Sequence, residues 1–187
     1  MNPPSDLASR ILGHYREMWG MESQVLRLDR GPSQELPAEF GVLLFAPSPR
    51  RPMWTYATQC MSVPEEDLGI ELHMFAPERE DGLVELLTAA AHYHRKGARL
   101  DAGHTVNFGR PWWTGSEAEH ALVSRPYLDG PMLEWLPFGP RRIRFLWLLP
   151  MMKEELQFKK TRGLEKLEQM LEAKQVNYLD PKRKSVV

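Results

Sequence analysis

Cysteine is almost missing from this chain of 187 residues, since Cys60 is the only one. A single thiol excludes an intramolecular disulfide and a cysteine-based zinc cluster, and it fits a reducing compartment, so a cytoplasmic location is expected. Long apolar runs are missing too. Val42–Ala46 and Phe145–Leu149 fall far below the ~20 residues that a membrane helix needs. The first residues, Met1–Asp6, have neither the basic start nor the apolar core of a signal peptide. Charge of one sign is also lacking: 24 Lys and Arg face 25 Asp and Glu, and the pI is near 6.6. Residues 151–187 carry nine basic against six acidic side chains, with Lys182-Arg183-Lys184 as a short basic tail. That is no broad basic face, so neither nucleic acid nor membrane is an expected partner. Gly103, Gly109 and Gly115 lie too far apart to imitate a phosphate-cradling loop and instead permit turns.

What is present suits a globular domain. The length allows a sizeable core without metal or disulfide support. Ser5 is a candidate N-cap for a first helix, whose Leu7, Ile11, Tyr15, Met18 and Trp19 repeat near the helical period and whose stop is Gly20. Gly31–Pro37 reads as a turn-rich connection. Strand-like runs follow at Phe40–Ala46, Met53–Met61 and Gly69–Phe75, and the short polar links 47–49 and 63–67 between them predict an antiparallel meander. Period two puts Trp54, Tyr56 and Thr58 on one face, with Met53, Thr55 and Ala57 on the other. Ile70, Leu72 and Met74 likewise oppose Glu71, His73 and Phe75.

Asp81 is a candidate cap for a second helix with Leu83, Leu86, Leu87, Ala90 and His94 on one face and Gly97 at its end. Further strands are expected at His104–Phe108, Ala121–Ser124, Leu133–Phe138 and Ile143–Leu149, the last apolar enough to be central and ended by Pro150. Two helical pieces, Lys153–Lys160 and Leu164–Lys174, break near Arg162-Gly163, and an extended segment, Val176–Leu179, precedes Asp180-Pro181. About seven strands and three or four helices, not strictly alternating, predict an α+β class: a single domain, 1–187, with a mixed, largely antiparallel twisted sheet covered by helices. Residues 1–35 are expected to form its N-terminal helix and connection.

The stretch from Tyr93-His94 to Trp112 gathers His, Asn, Gly and aromatic residues without a catalytic signature. His92 and His94 stand two apart on a helix and point about 200° from each other, so they do not share one ion. His104 is a candidate general base oriented by Asp101 or Asp129, which makes a small hydrolase or metal-dependent enzyme centred on His104 the rival reading. It lacks a nucleophile: Thr114-Gly115-Ser116-Glu117-Ala118 has Ala118 where a nucleophile elbow needs glycine. Cys60 reads as a small buried hydrophobe. The aromatic set Trp54, Tyr56, Phe108, Trp112, Trp113 and Tyr127 is either core or recognition surface, and the tandem Trp112-Trp113 is expected to be the better exposed part.

Met53–Thr58 with Met61-Ser62, Gly69–Leu72, Leu87–Tyr93, Gly103–Gly109, Phe145–Leu149 with Glu155-Leu156, and Tyr178–Pro181 with Arg183 together resemble the Suppressor of fused domain family, most closely its short bacterial members. The likeness spans nearly all of the chain beyond about residue 35, and it implies that 36–187 is the α+β body of the domain. It implies an α+β sandwich, no enzymatic activity, no cofactor and a protein partner. Eukaryotic members of that family carry a second domain and grip a transcription-factor peptide between the two, partly by strand addition, whereas short bacterial members include immunity proteins that bind toxin domains. On this basis Trp54, Tyr56, His104, Asn107, Trp112, Trp113, Asp129 and Asp180 are the candidate protein-binding residues, the last two and His104 and Asn107 as polar anchors around the aromatics. A homodimer formed through a sheet edge is the third reading.

Overall fold

The computed structural model describes residues 6–187 except 64, 65 and 98, so the Ser5 cap and part of the 63–67 link lie outside the described residues. Helix α1 (Asp6–Trp19) buries Leu7, Ala8, Ile11, Tyr15 and Trp19 on one stripe and stops at Gly20, whose φ of 64° only glycine adopts readily. A short strand β1 (Ser23–Leu26) and a 3-10 turn (Gly31–Glu35) lead into the meander β2 (Gly41–Phe45), β3 (Trp54–Gln59) and β4 (Leu68–Ala76). Helix α2 (Gly82–Lys96), strands β5 (Thr105–Asn107) and β6 (His120–Ser124), helix α3 (Pro131–Glu134), strands β7 (Trp135–Phe138) and β8 (Arg141–Met151), and helices α4 (Lys153–Arg162) and α5 (Leu164–Ala173) complete the order.

All eight strands join in one sheet, β1-β2-β3-β4-β8-β6-β5, with β7 on the same edge of β8 as β6. Only β4 and β8 run parallel. The expected α+β class and the antiparallel meander are therefore observed, and β8 is central. Alternation along the strands builds two cores. On one face Val42, Leu44, Tyr56, Leu72, Met74, Leu146 and Leu148 pack under α2. On the other, Leu43, Phe45, Ala57 and Phe145 pack under α1, while Phe75, Leu122, Trp147 and Leu149 are covered by α4, α5 and the C-terminal tail. Each fully buried large apolar side chain contributes roughly 1.5–3 kcal/mol of transfer free energy.

Several expectations are corrected. Strand β1 was not expected. The predicted Leu133–Phe138 strand begins as the turn of helix α3, because Pro131 pre-sets the helical φ behind Gly130 at φ 76°. Pro150 does not end β8. It pairs with Ala121 at a position whose main-chain groups point away from β6, towards the side where the β4 ladder has already stopped at Trp147. Its missing N–H costs no ladder bond there, and its carbonyl accepts from Arg183 Nη2 at 2.7 Å. Residues 176–179 form no strand: Val176 N bonds back to the Leu171 carbonyl, and the chain turns at 178 and 179. Asp81 has helical backbone and makes no cap bond; Glu80 Oε1 accepts from Gly82 N instead.

Candidate binding site

The eight expected site residues do not converge. Trp112 and Trp113, expected to be exposed, are 2 % and 8 % exposed and belong to the α2-side core. The loop 109–118 folds both rings under the sheet edge, and Trp112 Nε1 donates to the His120 carbonyl at 2.9 Å. Tyr56 is fully buried, its hydroxyl accepting from Glu80 N at 2.7 Å, and Trp54 is half-buried beside the same core. Asp180 turns the tail by accepting from Lys182 N at 2.9 Å. Asp129 lies on the opposite face of the sheet, where Arg51 and Trp19 Nε1 bond its carboxylate.

Among the described residues His104 has no carboxylate partner of the kind a general base needs. Its Nδ1 sits 3.1 Å from the Arg99 carbonyl, whereas Asp101 accepts from Arg144 at 2.7 Å and Asp129 from Arg51 at 2.6 Å. His94 is buried, and its Nδ1 accepts from Leu100 N at 2.9 Å; burial lowers its pKa, keeping the ring neutral in that role. The histidines of this stretch thus close turns. Cys60 is buried at φ 61°, and burial pushes its thiol pKa up.

Asn107, one of the expected residues, lines a groove. The groove has a volume of about 790 Å³ and runs between the outer side of α2, strand β5 and the 28–32 segment, with Leu86, Tyr93, Val106 and Phe108 among its walls. Strand β5 ends the sheet. Val123 N donates to the His104 carbonyl and Phe108 N to the Glu119 carbonyl, so residues 104, 106 and 108 face β6. The alternation turns the main-chain groups of Thr105 and Asn107 outward, and they have no backbone partner among the described residues. Asn107 Oδ1 accepts from Gly109 N at 2.8 Å, which ends the strand sharply and holds its edge open. Arg110 bridges to Glu85 at 2.7 Å, joining the β5 loop to α2. Tyr93, 45 % exposed, was missed by the sequence reading, although it falls off the apolar stripe of α2, which is where a surface aromatic would show.

An open sheet edge beside a groove is the geometry at which strand addition takes place in peptide-binding domains. The family profile described as Suppressor of fused protein (SUFU) matches residues 37–184. The chain belongs to that family. It is similar to a putative SUFU homologue from Neisseria gonorrhoeae FA 1090, at 29 % identity and a TM-score of 0.85 over 97 % of both chains. At 14 % and 16 % identity it shares the fold of a chain in the Sufu–Fu complex (TM-score 0.70, covering 98 % of this chain and 93 % of that one) and of Drosophila Suppressor of Fused (TM-score 0.71, covering 100 % and 54 %). It is also 35 % identical over 72 residues to the immunity protein YqcF of Bacillus subtilis strain 168; this match covers 38 % of each chain. Among the described residues no helix is long and apolar enough to cross a membrane.

Proposed function

We propose that this chain is a non-enzymatic protein-binding domain, and that it acts as an immunity protein, neutralising a bacterial toxin by direct binding in the cytoplasm. The observation that carries the binding reading is the free edge of β5: outward main-chain groups at Thr105 and Asn107 stand above the groove lined by Tyr93 and Phe108. An incoming strand would bond to that edge while its side chains occupy the groove, so backbone pairing supplies affinity and the groove selectivity. The likeness to a Bacillus subtilis immunity protein supports the toxin partner, and the fold shared with a chain of the Sufu–Fu complex supports a polypeptide ligand.

The test is affinity capture from the native cell with the wild-type chain and with Thr105→Pro, whose lost N–H points away from β6 and so spares the ladder. A stoichiometric partner should be captured by the first and lost with the second. When co-expressed, that partner should arrest growth unless the wild-type chain is present. Capture undiminished by Thr105→Pro would remove the β5 edge from the reading, and a partner without toxicity would remove the immunity role.

A further inference from the structure

The sheet face opposite the β5 groove holds a second cleft, of about 580 Å³, between α5 and the β6–β8 end of the sheet. Its apolar walls are Leu122, Trp147, Leu149, Leu171, Val176 and Tyr178. Three observations mark it as more than a packing defect. Trp147 is 5 % exposed, and its indole N–H, shielded from water, has no acceptor among the described residues. Buried donors are nearly always paired, so this site lacks one acceptor. Second, Glu165, Glu168 and Glu172 follow one another at helical spacing along the α5 wall, the Tyr127 hydroxyl donating to Glu168 and Arg125 acting on it from nearby. Third, the lip carries exposed apolar groups: Tyr127 and Leu128 are 61 % and 47 % exposed.

We infer that this cleft binds a basic segment of a partner protein, which seats one apolar side chain against Trp147 and sets lysine or arginine opposite Glu165, Glu168 and Glu172. The charge row decides the sign of the occupant, and the apolar walls demand the anchor. A polypeptide fits better than a small cation because the three carboxylates extend over two helical turns, further than one small cation reaches. The inference rests on the chain being a protein-binding domain, but not on the β5 edge, which lies on the other face.

The test follows the Trp147 indole signal by NMR in ¹⁵N-labelled full-length chain, assigned with Trp147→Phe. The probe is a short synthetic peptide of lysine and leucine around one phenylalanine, and the control is its twin with glutamate in place of lysine. The lysine peptide should shift the indole signal and the α5 amides saturably, and the glutamate twin should not. Replacing the three carboxylates (Glu165→Gln, Glu168→Gln, Glu172→Gln) should weaken binding roughly tenfold or more, an effect that fades at high salt. Leu128→Asp, a surface change that leaves the fold intact, should weaken it separately. Equal binding of the glutamate twin, or indifference to the three glutamine substitutions, overturns the inference. So does a response to benzyltrimethylammonium as strong as that to the peptide. Native-partner capture that survives these α5 variants but fails in Thr105→Pro would locate recognition at β5 alone and remove the α5 cleft from it.

Discussion

Arg51 and Asp129 lie 78 residues apart in sequence, yet the guanidinium donates to both carboxylate oxygens, at 2.6 and 3.3 Å. Trp19 Nε1 donates to the same carboxylate at 2.9 Å, and the guanidinium sits between the Trp19 and Phe75 rings at 4.7 and 4.6 Å. One ion pair thereby ties together the end of α1, the approach to β3 and the turn before α3. With Asp129 only 4 % exposed, its loss leaves a shielded guanidinium and an indole N–H without an acceptor. Asp129→Ala should cost about 3–5 kcal/mol in urea unfolding, the range for breaking a buried pair on one side. Replacing both residues with apolar ones of similar size should restore part of the loss. A single-mutant cost below about 1 kcal/mol would show that the pair is solvated in solution.

Two buried titratable groups on that face pull pH dependence in opposite directions. Burial lowers the pKa of His73 to about 3, an effect that nearby Arg51 reinforces and Asp129 opposes, its carboxylate oxygen 3.8 Å away. Between about 6.5 and 3 the unfolded chain binds a proton that the folded chain refuses, so stability falls as pH drops through this window. Burial raises the pKa of Glu71 to about 7, although Thr58, Ser62 and the Met61 and Ser62 amides all donate to it. Between 4.5 and about 7 the folded chain holds the extra proton, so stability rises as pH drops. The two slopes offset each other where they overlap, and below 4.5 only the loss from His73 remains. Urea midpoints against pH should show Glu71→Gln falling from about pH 6.5 downward where the wild type is flatter, and His73→Phe losing the acid slope. Parallel profiles for all three proteins would contradict the assignment.

The alternation that places Tyr56 and Leu72 on one face and His73 and Phe75 on the other was legible in the sequence, because successive side chains of any strand point to opposite faces. Strand β1 left none: Ser23, Gln24, Val25 and Leu26 form a short edge strand with no buried residue. Pro150 misled for a related reason, since a proline is excluded only where a neighbour needs its N–H, and where β4 stops is a tertiary fact. Gly69 shows the same limit. A Cβ there would lie 2.5 Å from Ser62 Cβ, so this glycine lets the 60–62 turn close on Glu71, which nothing local announces. Of the candidate site, Asn107 was named only through the family likeness, as a polar anchor, whereas Tyr93 and Thr105 gained meaning only once α2 and β5 stood side by side.

Trp112 and Trp113 show how far tertiary packing overrides a surface-like context. Their rings meet edge to face at 5.9 Å, and Trp112 also meets Phe108 at 5.7 Å. Acrylamide should quench both weakly in the folded chain, and Trp112→Ala should cost about 3–5 kcal/mol as a large core truncation. Trp112→Phe should recover most of the packing but not the bond to the His120 carbonyl, leaving a deficit of about 1 kcal/mol. Strong quenching in the native state would return the pair to the surface.

Arg183 fixes the tail that roofs the α5 side of the sheet. It is 8 % exposed and donates to both Glu155 oxygens at 2.6 and 2.8 Å, as well as to the Pro150 carbonyl. Glu155 in turn accepts from Met152 N at the start of α4 and from Val186 N in the tail. Removing the guanidinium would therefore leave a buried carboxylate that still caps a helix, and the tail would lose its main tether to β8. Arg183→Ala should lower stability by about 3–5 kcal/mol. Hydrogen exchange should accelerate first in residues 176–187 and in the opening turn of α4, while the meander β2–β4 keeps its protection. Arg183→Lys should fall between the two, because an ammonium cannot hold the two-pronged geometry and reach the Pro150 carbonyl together. If exchange instead rose uniformly across the sheet, the tail would be an integral part of the cooperative core and not a separately tethered cover.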